Sequence, residues 1–192
     1  GRALAGHRIR AMLSQQNRPY PQATLDSLAD GLARLTIEAP PRDFAAIEAL
    51  AALSLAGSAT TAAVPYARAF ELLVRIYKEA RHSGFSAAAM SLVYDVDPER
   101  AVRFWAEVAQ GKTPGLPGIQ EIAVDLLANR GGERGRAILR ELHAADLVQE
   151  PGARTYLRWL ASRNFVPLSP GQPKDTGAAA SPGRRPLPPR RR

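Results

Sequence analysis

Apolar residues recur at intervals of three and four along most of the chain, which is the spacing of one face of an α-helix. Leu25, Leu28, Ala29, Leu32 and Leu35 form one such face. No segment alternates apolar and polar residues between hairpin turns, so no strand is predicted. The pattern therefore predicts an all-α protein, with the folded part covering residues 1–168.

Turn and capping residues divide this pattern into helices of about 10–18 residues. Asp43 follows two prolines and is predicted to cap the helix after it, and Asp97 is predicted to cap a second helix that has Pro98 in its first turn. Residues 111–118 form a predicted loop, and residues 129–132 a predicted stop. Short turns between helices favour antiparallel neighbours.

Each predicted helix has an inner face. After Asp43 that face is predicted to contain Phe44, Ile47, Leu50, Ala51 and Ser54. Two later faces contain Ala69, Leu73, Ile76, Tyr77 and Ala80, and then Ala101, Val102, Trp105, Val108 and Ala109. The stripe after residue 132 contains Ile138, Leu139, Leu142 and Ala145. Trp105 and Trp159 are interpreted as core residues, with a groove-lining anchor as the alternative.

The C-terminal segment 169–192 differs in composition from the rest. It is rich in Pro, Gly, Ala and Arg, and its six basic residues and one acidic residue supply +5 of the net charge of +8. Such a segment buries too little apolar surface to offset its ordering entropy, so disorder is predicted. Nonspecific contact with nucleic acid through this basic tail is a further expectation.

The predicted helices can be grouped into hairpins. First helices begin near residues 7, 43, 85, 118 and 151, at steps of about 33–42 residues, which is the range of stacked helical repeats. The segment 86–109 carries the best local pattern, with Asp97 in the turn and Arg103 six residues later. Over residues 43–163 the chain resembles the HEAT-repeat (armadillo-like) family of α-solenoids.

The resemblance implies a short α-solenoid of antiparallel hairpins, either by itself or as a fragment of a longer solenoid, in which Asp97 caps a helix and Arg103 bonds to a neighbouring turn. It also implies protein binding through a concave face built by the second helices. An irregular helical bundle is the alternative fold.

No pattern in the sequence indicates catalysis. The chain has no cysteine, no nucleophile elbow, no phosphate-binding loop and no paired Glu-x-x-His motifs, so no catalytic residue, metal site or cofactor is predicted. We therefore expect a non-enzymatic scaffold that binds an as yet unidentified protein, without a membrane span.

Nucleic-acid binding is the alternative function. It would use the tail together with five arginines of the last helices: Arg134, Arg136, Arg140, Arg154 and Arg158. The opposing interpretation is a solvated helix face, because Glu133, Glu141 and Glu150 are interspersed among them.

Composition gives a weaker indication of the source, and the sequence leaves the compartment open. Arginine outnumbers lysine 23 to 3 and alanine is abundant, which is typical of GC-rich coding and favours a bacterial source. The compartment stays open, since the protein is expected in the cytoplasm or, if a signal peptide precedes Gly1, in the periplasm or outside the cell.

Overall fold

The computed structural model describes residues 21–57 and 66–166. The helix predicted near residue 7, the boundary at Leu168 and the tail 169–192 lie outside these residues. Within the described ranges the chain forms helices and no strand, which confirms the all-α prediction. The helices are α1 (Gln22–Glu38), α2 (Phe44–Gly57), α3 (Tyr66–Glu79), α4 (Ser83–Val96), α5 (Pro98–Ala109), α6 (Ile119–Asn129), α7 (Gly132–Ala144) and α8 (Pro151–Ala161).

Contacts between the helices follow their order in the chain. Each helix packs on the next one, and the other main contacts join helices that are next but one. One series of such contacts runs from α2 to α4, then to α6 and to α8. Two further contacts join α1 to α3 and α5 to α7. The described core is thus continuous from α1 to α8.

Two predicted capping residues begin helices as expected. The Asp43 carboxylate accepts a hydrogen bond from the Ala45 amide at 2.9 Å, and the Asp97 carboxylate accepts one from the Arg100 amide at 2.9 Å. Pro98 occupies the first turn of α5, where its missing N–H leaves no helical bond unmade.

The inner faces of α3 and α5 are confirmed. Every residue predicted for these two faces is buried. Trp105 is fully enclosed: its indole N–H donates to the Met90 carbonyl at 2.8 Å, and its ring stacks on Tyr94 at 5.4 Å. The core interpretation of Trp105 is therefore correct.

The predicted inner face of α2 is wrong at Phe44, Ile47 and Ala51 and correct at Leu50 and Ser54. Phe44 is 74% exposed and Ile47 is 50% exposed, and Ala51 is half-buried. The face turned to the core contains Ala45, Ala46, Ala49, Leu50, Ala52, Leu53 and Ser54. Because α2 packs against α1, α3 and α4, small side chains on its inner face let three neighbours approach closely.

Two smaller corrections concern Leu35 and Ala145. Leu35, predicted to face inward, is 38% exposed, while Ala33 and Thr36 of the same helix are buried. Ala145, predicted on the inner stripe of α7, is exposed because α7 ends at Ala144.

Polar side chains also connect successive hairpins. Arg130, in the α6–α7 turn, donates to the Asp95 carboxylate at 2.6 Å and to the Ser91 carbonyl at 3.1 Å, and it lies over the Tyr94 ring at 4.5 Å. Arg130 thereby ties the α6–α7 turn to α4.

A second connection joins the start of α6 to the α7–α8 loop. Gly118 and Gln120, at the start of α6, donate their backbone amides to the Glu150 carboxylate, and the Gln120 bond is 3.1 Å long. In return the Glu150 amide donates to the Gln120 side-chain oxygen at 3.1 Å. Glu150, from the α7–α8 loop, therefore serves as the cap that Gly118 lacks.

None of the helices in residues 21–57 and 66–166 is both long and apolar enough to cross a membrane.

Candidate functional site

A cleft of about 720 Å³ opens where three loops lie side by side. The α1–α2 loop supplies Pro41 and Arg42, the α3–α4 loop supplies Arg81 and His82, and residues 116–117 come from the α5–α6 loop. This volume lies within the range of small-ligand and peptide-anchor pockets.

Apolar side chains form the walls of the cleft. Ile47 contributes from α2, Phe85 and Ala88 from the first turns of α4, and Leu116 and Pro117 from the α5–α6 loop. Phe44 lies one turn before Ile47 on the same side of α2, so its ring extends the apolar surface beyond the cleft. Phe44 and Ile47 are the two most prominent residues that the sequence-based prediction placed in the core.

The rim of the cleft is basic. Arg42, Arg81 and His82 are its charged or titratable lining residues, and none of the described residues that line it is acidic. Neither guanidinium has an ion-pair partner among the residues that the structure describes. The adjacent carboxylate of Asp43 is engaged in capping α2.

The backbone at Arg42 is in a conformation that L-residues seldom adopt. Its φ of 66° lies in the left-handed region, which glycine occupies at less cost. Strain of this kind is concentrated at functional sites, where the position of a side chain matters more than local stability. Here the residue in this conformation is Arg42, which lies at the rim of the cleft without an ion-pair partner in the part of the chain that the structure describes.

Tyr77 of α3 supports the wall formed by the α5–α6 loop. Its buried hydroxyl packs so closely on Gly115 that a Cβ at that position would collide with Tyr77 Oη and with Ile119. Burial raises the pKa of Tyr77 to about 12, so the hydroxyl stays protonated at neutral pH. Because Gly115 has no side chain, the α5–α6 loop can lie directly on α3. The next residue in this loop is Leu116, which lines the cleft.

Three of the five arginines predicted as a basic face pair with acidic side chains. Arg136 and Arg140 both pair with Glu133, at 2.8 and 3.1 Å. Their hydrogen bonds, that of Arg136 first, lower the pKa of the Glu133 carboxyl. Arg154 donates to the Val148 carbonyl at 3.0 Å and lies 3.6 Å from Asp146.

Arg134 and Arg158 are exposed on α7 and α8. The pairing of the other three with nearby acidic side chains reduces the positive charge that this surface offers to phosphates. Nucleic-acid binding by this face and the tail stays a prediction.

The turn residues of the HEAT resemblance also have defined positions. Asp97 caps α5, as described above, whereas Arg103 is exposed and pairs with Glu99 of its own helix at 3.5 Å. A side chain that does reach from one hairpin to another is Arg130, which no sequence pattern predicted. Its only signal in the sequence was a basic residue placed directly after the end of a helix.

Comparison of the chain with family models, with curated proteins and with solved structures finds no match in any of the three. The cleft is therefore interpreted from its own residues. In the described part of the chain, no three His, Asp or Glu side chains come together in a way that would hold a metal ion. The cleft offers apolar contact and positive charge, and these are binding features.

Proposed function

We propose that the protein is a short α-solenoid of HEAT-like hairpins that acts as a non-catalytic scaffold for a protein partner. The order of helix contacts supports the repeat, because neighbours in the chain are neighbours in the fold. Further support comes from the loops: α1–α2, α3–α4 and α5–α6 meet at the cleft, and Glu150 joins the α7–α8 loop to the last of them. Stacked hairpins bring equivalent loops together in this way.

The observation that carries the proposed function is the outward position of Phe44 and Ile47 beside the cleft. Two large apolar side chains on one turn of a helix cost solvation free energy when exposed, and such patches mark interaction sites. We place the binding surface at this edge of the hairpins, whereas the resemblance implies the concave face. The surface is defined as Phe44, Ile47 and the cleft lining, and is called the loop-edge surface below.

The test introduces a photo-crosslinking phenylalanine analogue at Phe44 in the full chain, expressed in its native cells. We expect discrete protein adducts on irradiation, since the ring at this position is already aromatic and exposed. Val166, which is 54% exposed, provides the matched control position. Identical adducts from both positions, or none from Phe44, would contradict a protein-binding role for the loop-edge surface.

Gly84 allows the same surface to be blocked without disturbing the fold. It lines the cleft, and a Cβ there would meet no other atom within 4 Å. We expect Gly84→Gln to abolish the Phe44 adducts, because the new side chain occupies the cleft. Gly31, which is on α1 and equally unobstructed, is the control: Gly31→Gln should leave the adducts unchanged.

A further inference from the structure

The charge of the cleft indicates which kind of partner would fit it. Its apolar walls require an apolar anchor. Within residues 21–57 and 66–166, the two arginines of its rim have no ion-pair partner and no carboxylate lines it. A ligand that placed carboxylates at the rim would pair with Arg42 and Arg81 while its anchor filled the space between Ile47, Phe85 and Leu116.

The chain itself does not supply such a segment outside the described residues. Residues 1–20 and 58–65 contain no acidic residue, and residues 167–192 contain only Asp175 among six basic residues. A second copy of the chain carries a net charge of +8, so its approach to a basic rim is opposed by repulsion. The charge therefore favours a different, acidic molecule over the protein's own tail or a dimer.

We propose that the loop-edge surface binds an acidic peptide segment of a partner protein, with one or two apolar anchors in the cleft and carboxylates on Arg42 and Arg81. This inference rests on the proposed function and specifies its partner. Recognition of this kind combines a hydrophobic anchor with charge-steered orientation.

The experiment measures the binding of fluorescein-labelled peptides to the full chain by fluorescence anisotropy. The probes are peptides of about 12 residues that share two leucines spaced as on one helical face and differ in the remaining positions, which are Glu, Gln or Lys. A fourth peptide carries the Glu residues without the leucines. We expect the peptide with Glu and Leu (the Glu–Leu peptide) to bind about tenfold more tightly than the Gln–Leu peptide and the leucine-free peptide. The Lys–Leu peptide should not bind. The affinity of the Glu–Leu peptide should fall as NaCl is raised from about 50 to 300 mM.

Two sets of variants identify the groups responsible. Arg42→Gly combined with Arg81→Gln should weaken the Glu–Leu peptide by about tenfold and remove its advantage over the Gln–Leu peptide. Glycine suits the left-handed backbone at position 42, so the variant should melt no lower than the parent protein. Arg34→Gln with Lys112→Gln removes the same charge from exposed positions that do not line the cleft, and should change the affinity less than twofold.

Several results would overturn the inference. Equal binding of the Glu–Leu and Gln–Leu peptides that Gly84→Gln still blocks would mean apolar recognition without a charge preference, and the proposed function would stand. No peptide binding alongside Phe44 adducts would likewise refute the acidic partner alone. A tail peptide of residues 183–192 that competes for the cleft, or a dimer dispersed by Gly84→Gln in sedimentation velocity, would identify a different occupant. A different occupant would also be identified if a single-stranded oligonucleotide bound at the cleft as tightly as the Glu–Leu peptide.

Discussion

Trp105→Ala is expected to lower the free energy of unfolding by about 3–5 kcal/mol. The side chain is fully buried, stacks on Tyr94 and donates a hydrogen bond to Met90, so its removal leaves a cavity where α4 and α5 meet. Chemical denaturation followed by circular dichroism measures the loss.

The second tryptophan provides the control for this prediction. Trp159 is half-buried, stacks on Tyr156 and has Arg163 5.2 Å from its ring centre, so Trp159→Ala should cost clearly less. Trp105→Phe keeps a ring but cannot donate to Met90. Its loss of unfolding free energy should therefore lie between the losses for Trp105→Ala and Trp159→Ala. A loss below about 1 kcal/mol for Trp105→Ala would mean that α4 and α5 do not pack as described.

Gly135→Ala should destabilise the protein by about 1–3 kcal/mol or more, although alanine is the better helix former. A Cβ at position 135 of α7 would collide with the backbone carbonyl of Leu127 in α6, and backbone atoms cannot move aside as a flexible side chain can. The measurement is again the denaturation midpoint and its slope.

The same substitution at Gly31 should have the opposite sign. Gly31 lies inside α1 with open space around it, so Gly31→Ala removes backbone entropy from the unfolded chain without a clash. A gain of about 0.5–1 kcal/mol is expected. If Gly135→Ala left stability unchanged or raised it, as Gly31→Ala should, the close approach of α6 and α7 at Gly135 would be disproved.

The sequence predicted the amphipathic helices well and α2 poorly, for one physical reason. In α3 and α5 charged residues occupy the outer positions, so the apolar stripe defines the inner face unambiguously. In α2 the only charged residue is Glu48, and apolar residues surround the helix, so periodicity cannot select a face. Packing against α1, α3 and α4 determines the inner face of α2 instead. The buried alanines are Ala45, Ala46, Ala49 and Ala52, whereas Phe44 and Ile47 lie outside.

The candidate site could not be predicted for a related reason. Its parts come from Arg42, Arg81 and Leu116, which are far apart in the chain and meet only because three loops lie side by side. No local motif contains them. The left-handed backbone at Arg42 was equally hidden, since arginine is not a residue that signals this conformation. Capping residues such as Asp97 were predictable because their chemistry is local.

The order of helix contacts has a consequence for how the protein forms during synthesis. In residues 21–57 and 66–166 each helix packs mainly on those that precede it by one or two positions, so contacts rarely join segments more than two helices apart, and folding is expected to be fast. Each hairpin can dock on the one already made as it leaves the ribosome. The exception is the start of α6, whose amides wait for the Glu150 carboxylate, about thirty residues later in translation. Until Glu150 emerges, the amides at the start of α6 have no side-chain cap, and this end of the helix is free to fray.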